Sequence, residues 1–349
     1  MTDGSADGPG EGGGGRGSGW GCREMPAPGE GRAAGGSPAG PWKILFFGTA
    51  PFALPALEAL ASGPDVLLAV VAPPPAPAGR GRGLRAAATA VRARELGITV
   101  LEEPKPNSSA FLDKLRELEP DLSVVCAYGS LLKDGLLGLC PLPPLNIHPS
   151  LLPRHRGPAP VNWAVIRGDP ETGVSVMHLD RGMDEGPVLA QARVPVPPGR
   201  PAGELERELS VMGAELLLET VALLKDGRAV PHPQDGALAT VNRLLAKADG
   251  DLDFTRPAGE LSGTVNGCDP WPGARCLLNG KSVKLFGAYP LPGTAEPGLA
   301  LPLDASGRLP IGTGEGILAV SELQPEGKRR LGAGEFARGY RPVRFDPAG

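Results

Sequence analysis

The sequence predicts a two-domain chain, an α/β domain built on a doubly wound parallel sheet followed by a small all-β domain. Short apolar runs alternate with segments of helical period as far as residue 225, the pattern of a parallel sheet wrapped by helices. From residue 250 that alternation gives way to short β-like runs separated by turns. The 349 residues suffice for both, at roughly 100 to 200 residues per domain.

Residues 1–41 hold 15 glycines and 5 prolines and no hydrophobic period. Such a composition buries too little apolar surface to offset ordering entropy, so a disordered, dispensable extension is expected there, with Met25 an alternative start. Residues 42–227 form the expected first domain. K-I-L-F-F from Lys43 to Phe47 reads as a strand ended by Gly48, and Pro51 opens a helix running to Ala61. Val66 to Val71 and Leu122 to Ala127 read as buried strands, with helical periods at Arg85 to Leu96 and Ser109 to Leu118 between them. Leu145 to His148 is a short strand leaving a Pro-rich turn, and Val174 to Leu179 alternates as a half-buried strand does. Leu205, Leu209, Met212, Leu216 and Leu223 recur at helical spacing through Gly203 to Lys225, and Gly227 stands where a C-terminal cap belongs. Residues 228–247 hold no sustained period and read as a linker. In 248–349 the runs Ala274 to Leu278, Ser282 to Phe286, Gly298 to Leu301, Leu309 to Gly312 and Ile317 to Leu323 suggest a small barrel or sandwich, an oligonucleotide-binding type of barrel included.

Composition narrows the function classes. With 35 basic and 39 acidic residues the net charge is −4, so any nucleic-acid surface must be a local patch. The five cysteines show no C-x-x-C pair, which fits a reduced cytosolic compartment and gives no zinc or redox motif. No apolar run is long enough to span a bilayer, and the N-terminus lacks a signal-peptide core. The first strand-turn-helix reads G-T-A-P-F-A, with one glycine where a dinucleotide fingerprint needs three. Gly312, Gly314 and Gly316 lie between two strands and read as a Gly-rich hairpin; there is no P-loop and no H-E-x-x-H.

Chemistry concentrates between Asn146 and Gly186, which hold three of the four histidines, His148, His155 and His178. Asn146 and His148 stand two apart at the C-terminal end of a strand, so both side chains point to one side at the edge where open α/β sheets bind ligands. An amide donor beside an imidazole can hold an oxyanion while a proton moves, as acyl transfer to an amine requires. Asp184, in a loop bounded by Gly182 and Gly186, can approach that edge and fix the imidazole tautomer. On spacing alone, turn and capping roles for Asn146 and His148 remain open. His155, between two arginines, reads as a solvated loop residue, His178 as structural, and Cys126 as an inert core thiol. Two basic patches stand out, Arg80, Arg82, Arg85, Arg92 and Arg94, and then Lys328, Arg329, Arg330, Arg338, Arg341 and Arg344.

The segment N-I-H-P-S-L-L-P-R-x-R-G-x-A-P, followed by G-D-x-E-T-G-V and D-x-G-M-D-x-G, resembles the signature of the folate-dependent formyltransferases. K-I-L-F-F-G-T from Lys43, P-A-G-R-G from Pro77, A-Y-G from Ala127, P-W-P from Pro270 and L-Q-P-E-G-K from Leu323 fall in the family's order and extend the resemblance over nearly everything after residue 41. It implies a Rossmann-like formyltransferase domain followed by a C-terminal β-barrel of oligonucleotide-binding type. It implies catalysis by Asn146, His148 and Asp184, with Ser150, Leu151, Leu152 and Pro153 lining the folate site. The implied reaction moves a formyl group from 10-formyltetrahydrofolate to the methionyl amine of initiator tRNA, without metal or nucleotide, in a bacterial, cytoplasmic, monomeric enzyme. Arg80, Arg82, Lys328, Arg329 and Arg330 are then the expected tRNA contacts. Pro149 stands where most members have glycine, a form familiar in glycinamide ribonucleotide formyltransferase, and keeps that acceptor or a nucleotide sugar open. The loop P-P-A-P-A-G-R-G lacks the family's usual acid and arginine around Pro75 and Ala76. An RNA-binding protein on a retired catalytic scaffold is the alternative from another class.

Overall fold

The computed structural model describes residues 23–24, 40–78 and 83–348. Arg80 and Arg82 lie outside the described residues, as does most of the Gly/Pro-rich extension. Its one described strand, Arg23–Glu24, pairs with a sheet edge.

The first domain is a mixed sheet between two layers of helices. Its elements are β1 (Lys43–Gly48), α1 (Leu54–Ala61), β2 (Val66–Ala72), α2 (Ala88–Glu95), β3 (Val100–Glu102), α3 (Ser109–Arg116), β4 (Leu122–Cys126), β5 (Leu145–His148), α4 (Pro160–Arg167), β6 (Glu171–His178), β7 (Val188–Pro195) and α5 (Ala202–Lys225). Strand order is β3-β2-β1-β4-β5-β6-β7, closed by Arg23–Glu24. β1 shows why both layers are needed. Ile44 and Phe46 join one core with Leu57, Leu205 and Leu209, while Leu45 and Phe47 face the other with Phe111 and Leu115. The order reverses at β1, whose two neighbours are β2 and β4, and this opens a crevice at the C-terminal ends of the parallel strands.

The sheet is not parallel throughout. β1 to β5 are, but β6 and β7 run antiparallel to their neighbours. The 179–187 connection between β6 and β7 is too short for a crossover, which takes a dozen or more residues. Gly227 takes the left-handed conformation after α5, as expected, and its N–H and that of Arg228 bond back to Leu224 and Leu223 carbonyls.

The second domain carries an antiparallel sheet ordered β8 (Ala274–Leu278), β9 (Lys281–Leu291), β11 (Ile317–Pro325), β10 (Leu309–Gly312), with Leu331–Gly332 also on β11. Bridges from Leu277 to Asp346 and from Leu299 to Arg344 curl the chain toward a half-barrel, and Gly298 to Leu301 makes such bridges rather than a strand. Two helices that the β-like pattern does not suggest, α6 (Ala258–Gly267) and α7 (Ala333–Tyr340), pack Leu261, Val265 and Phe336 into a core with Phe254 and Phe345.

The 228–247 segment lies along the first domain. His232 and Val188 exchange backbone bonds of 2.8 Å each, and Arg156 does the same with Thr240 and Asn242 at 2.8 Å each. α6 then crosses α4 at close range. A Cβ on Gly263 would sit 2.7 Å from the Ile166 carbonyl, and Asn162 Nδ2 donates to the Gly267 carbonyl at 2.8 Å. Glycine on α6 lets the two helix backbones meet there.

Candidate active site

A cavity of about 490 Å³ opens at the C-terminal ends of β4 and β5, in the crevice left by the order reversal. Asn146 and His148, on one side of β5, both line it, as their spacing requires. Asp184 reaches it from the β6–β7 loop. Asn146 Nδ2 lies 3.5 Å from Asp184 Oδ1, and His148 Nδ1 lies 3.5 Å from Asp184 Oδ2. The Gly157 N–H donates to Asp184 Oδ2 at 2.9 Å. The three residues therefore converge.

His148 Nε2 is 2.9 Å from the His155 carbonyl. A carbonyl oxygen only accepts, so Nε2 carries the hydrogen and the tautomer is set by this backbone group rather than by Asp184. That leaves Nδ1 as the ring atom beside Asp184. His155 itself is buried, against the expectation of a solvated loop residue. Its Nε2 pairs with Asp169 Oδ2 at 2.6 Å and its Nδ1 lies 3.2 Å from Asn242 Nδ2, which holds the main chain at a φ of +59° and so aims the carbonyl. The sequence signal for this was only a histidine flanked by arginines. Cys126 is buried in β4 and burial pushes its thiol well above the ordinary range, so it is inert as expected.

The opposite wall is apolar, from Ala127 to Leu132 with Leu137, Leu179 and Met183, and α4 contributes Pro160, Val161 and Asn162. Tyr128 packs edge-on to Phe47, and burial, helped by the charge of Glu103, pushes its hydroxyl up to about 12. The described lining residues include three carboxylates, Asp180, Asp184 and Glu206, and no lysine or arginine is found among them. Burial, partly offset by Arg207, holds the Glu206 carboxyl above its ordinary range. Such a cavity suits an incoming amine and a flat, hydrogen-bonding ring.

Ser150, Leu151, Leu152 and Pro153 do not line this cavity. The buried Ser150 hydroxyl donates to the Arg154 carbonyl, Leu152 N donates to Ser175 Oγ, and Leu152 and Pro153 border a separate cavity of about 250 Å³ with Gln191 and His232.

The basic patches divide. Arg92 pairs with Glu58 and Glu95, and Arg94 with Glu102, so acids brought in by the fold neutralise part of the first. In the second, Arg329 pairs with Glu335, and Arg330 is held by Asp269 at 2.6 Å while its guanidinium lies over Phe286. Lys328 instead opens onto a groove of about 540 Å³ shared with Lys247, Arg275, Lys284 and the exposed Trp271. Among the described residues no cluster fit to hold a metal is found, and no helix is long and apolar enough to cross a membrane.

Residues 42–221 match the family described as "Formyl transferase", and residues 244–341 match "Formyl transferase, C-terminal domain". A methionyl-tRNA formyltransferase of Desulfotalea psychrophila is 43% identical over 303 residues, covering 85% of this chain and 92% of that protein. One of Roseiflexus castenholzii is 41% identical over 303 residues, covering 86% and 96%. Among solved structures, an N-formyltransferase from Helicobacter canadensis in complex with folinic acid and dTDP-3-aminofucose superposes with a TM-score of 0.62 at 14% identity, over 83% of this chain and all of that one. HypX from Aquifex aeolicus in complex with tetrahydrofolic acid gives 0.57 at 20% identity, over 85% of this chain and 48% of that one.

Proposed function

Because the chain belongs to the formyl transferase family, and is a formyl-transferring enzyme using a tetrahydrofolate donor, we propose that its acceptor is the amino group of methionyl-tRNA, formylated by 10-formyltetrahydrofolate at the Asn146, His148, Asp184 cavity. The observation that carries the reading is the convergence of these three side chains on a cavity whose described lining includes three carboxylates. The acceptor follows from relatives that match both domains, the second of which carries the lysine groove.

The amine nitrogen attacks the formyl carbon, and the carbonyl electrons move to oxygen. Asn146 Nδ2 donates to that oxyanion. His148 Nδ1, free of a hydrogen because Nε2 bears it, takes the proton shed by the amine, and the Asp184 carboxylate stabilises the resulting imidazolium. Collapse restores the carbonyl and releases the tetrahydrofolate nitrogen, which takes up a proton. The donor's ring is assigned to the wall from Ala127 to Leu132 rather than to Ser150 to Pro153. Lys328, Lys247 and Lys284 are assigned to tRNA phosphate, beside Trp271, which offers a stacking face.

The test is a formylation assay with methionyl initiator tRNA, methionyl elongator tRNA and glycinamide ribonucleotide offered in turn with the same donor. Product on initiator tRNA is expected; product on glycinamide ribonucleotide alone overturns the acceptor. Asn146→Ala and His148→Ala should each lower kcat about 100- to 1000-fold, and near wild-type turnover would remove them from the mechanism.

A further inference from the structure

Asp184 sits in a loop that its own sequence does little to hold. Gly182 and Gly186 flank it, and its backbone lies at a φ of +55°, a region a residue with a Cβ occupies only when its surroundings impose it. The hold comes from outside the loop. Gln234, in the segment joining the two domains, donates both amide hydrogens, one to the Asp184 carbonyl at 2.8 Å and one to the Gly186 carbonyl at 2.7 Å. Its Oε1 accepts from Arg156 Nε at 3.0 Å, and Arg156 NH1 in turn lies 3.5 Å from Glu185. One side chain thus makes three of its four possible hydrogen bonds to the two loops that form the site. Its own position is set two residues earlier, where His232 and Val188 exchange backbone hydrogen bonds.

We infer that Gln234 is a positioning residue for formyl transfer, a clamp supplied by the interdomain segment that keeps the Asp184 carboxylate against His148, Asn146 and the Gly157 amide. The inference rests on the proposed role of Asp184. Without the clamp the Asp184 and Gly186 carbonyls lose their donor, the left-handed turn relaxes, and the carboxylate leaves the imidazole. A displacement of about 1 Å at a reacting centre costs up to about 100-fold in rate.

The test is a double-mutant cycle on the full chain. Gln234→Ala, and Gln234→Glu, which keeps the shape but turns an oxygen toward the two carbonyls, should each lower kcat roughly 10- to 100-fold with little change in either KM. In an Asp184→Ala background the same changes should have no further effect on kcat, because the group they position is gone. A second readout needs no activity. The Gly157 amide, bonded to Asp184 Oδ2, should exchange its hydrogen at least about tenfold faster in both Gln234 variants. Wild-type kcat in those variants, losses that multiply with Asp184→Ala, or unchanged Gly157 exchange would each overturn the clamp. Should the wild-type chain formylate no acceptor, the functional reading falls while Gly157 exchange still decides on the clamp.

Discussion

Of the three histidines in the Asn146 to Gly186 stretch, His148 and His178 were placed by their strand positions and His155 was not. His148 could be placed because a strand fixes where alternate side chains point. His155 could not, because its partners Asp169, 14 residues on, and Asn242, 87 residues on, follow no local pattern. Gln234 was equally hidden, a polar residue in a segment with no period. His178 is structural, and its environment makes a testable statement about acid. Burial holds its imidazole below the ordinary value of 6.5, with a hydrogen bond to the Pro143 carbonyl working in the other direction. A depressed folded value means that the unfolded chain binds the proton first as pH falls. The contribution is therefore whole above 6.5 and lost as pH drops toward the folded value. Thermal unfolding midpoints of wild type and His178→Gln should diverge between pH 8 and pH 5, the wild type falling further; parallel curves would contradict this.

At the scale of elements, the parallel half of the sheet was legible because its strands are buried on both faces and read as unbroken apolar runs. β7 was not, since V-L-A-Q-A-R-V-P mixes polar residues and proline near the sheet edge. α6 was hidden by its composition. A-G-E-L-S-G-T-V-N-G offers only Leu261 and Val265 as an apolar stripe, and its glycines, which weaken helical propensity, are there to meet α4. A side chain added at Gly267 would press on Ile166 and on the Asn162 carbonyl. Gly267→Val should accordingly cost about 1–3 kcal/mol, read as a lower unfolding midpoint. It should also raise KM for the acceptor, because the first turn of α4 lines the cavity. An unchanged midpoint would show that α6 can shift at no cost.

For the whole molecule, the near-zero net charge concealed a polarised surface. Neutralising Lys247, Lys284 and Lys328 together should raise KM for tRNA and leave kcat nearly intact, with the salt slope of binding falling by roughly one unit per lost phosphate contact. Arg330→Ala should instead lower thermal stability, since it strands Asp269 and uncovers Phe286, while tRNA affinity barely moves. The reverse pattern, with Arg330 governing affinity, would reassign the groove. The contact of α6 with α4 also bears on how such enzymes can be recombined. A chimera that joined residues up to 227 to a foreign second half would discard Gln234, Thr240 and Asn242, and would set an unmatched helix against Ile166. A crossover after Asn242 keeps the first three but still demands glycine at the two contact points. The second domain is therefore not an interchangeable cartridge, and a design that exchanges it has to carry the seam along with the surface.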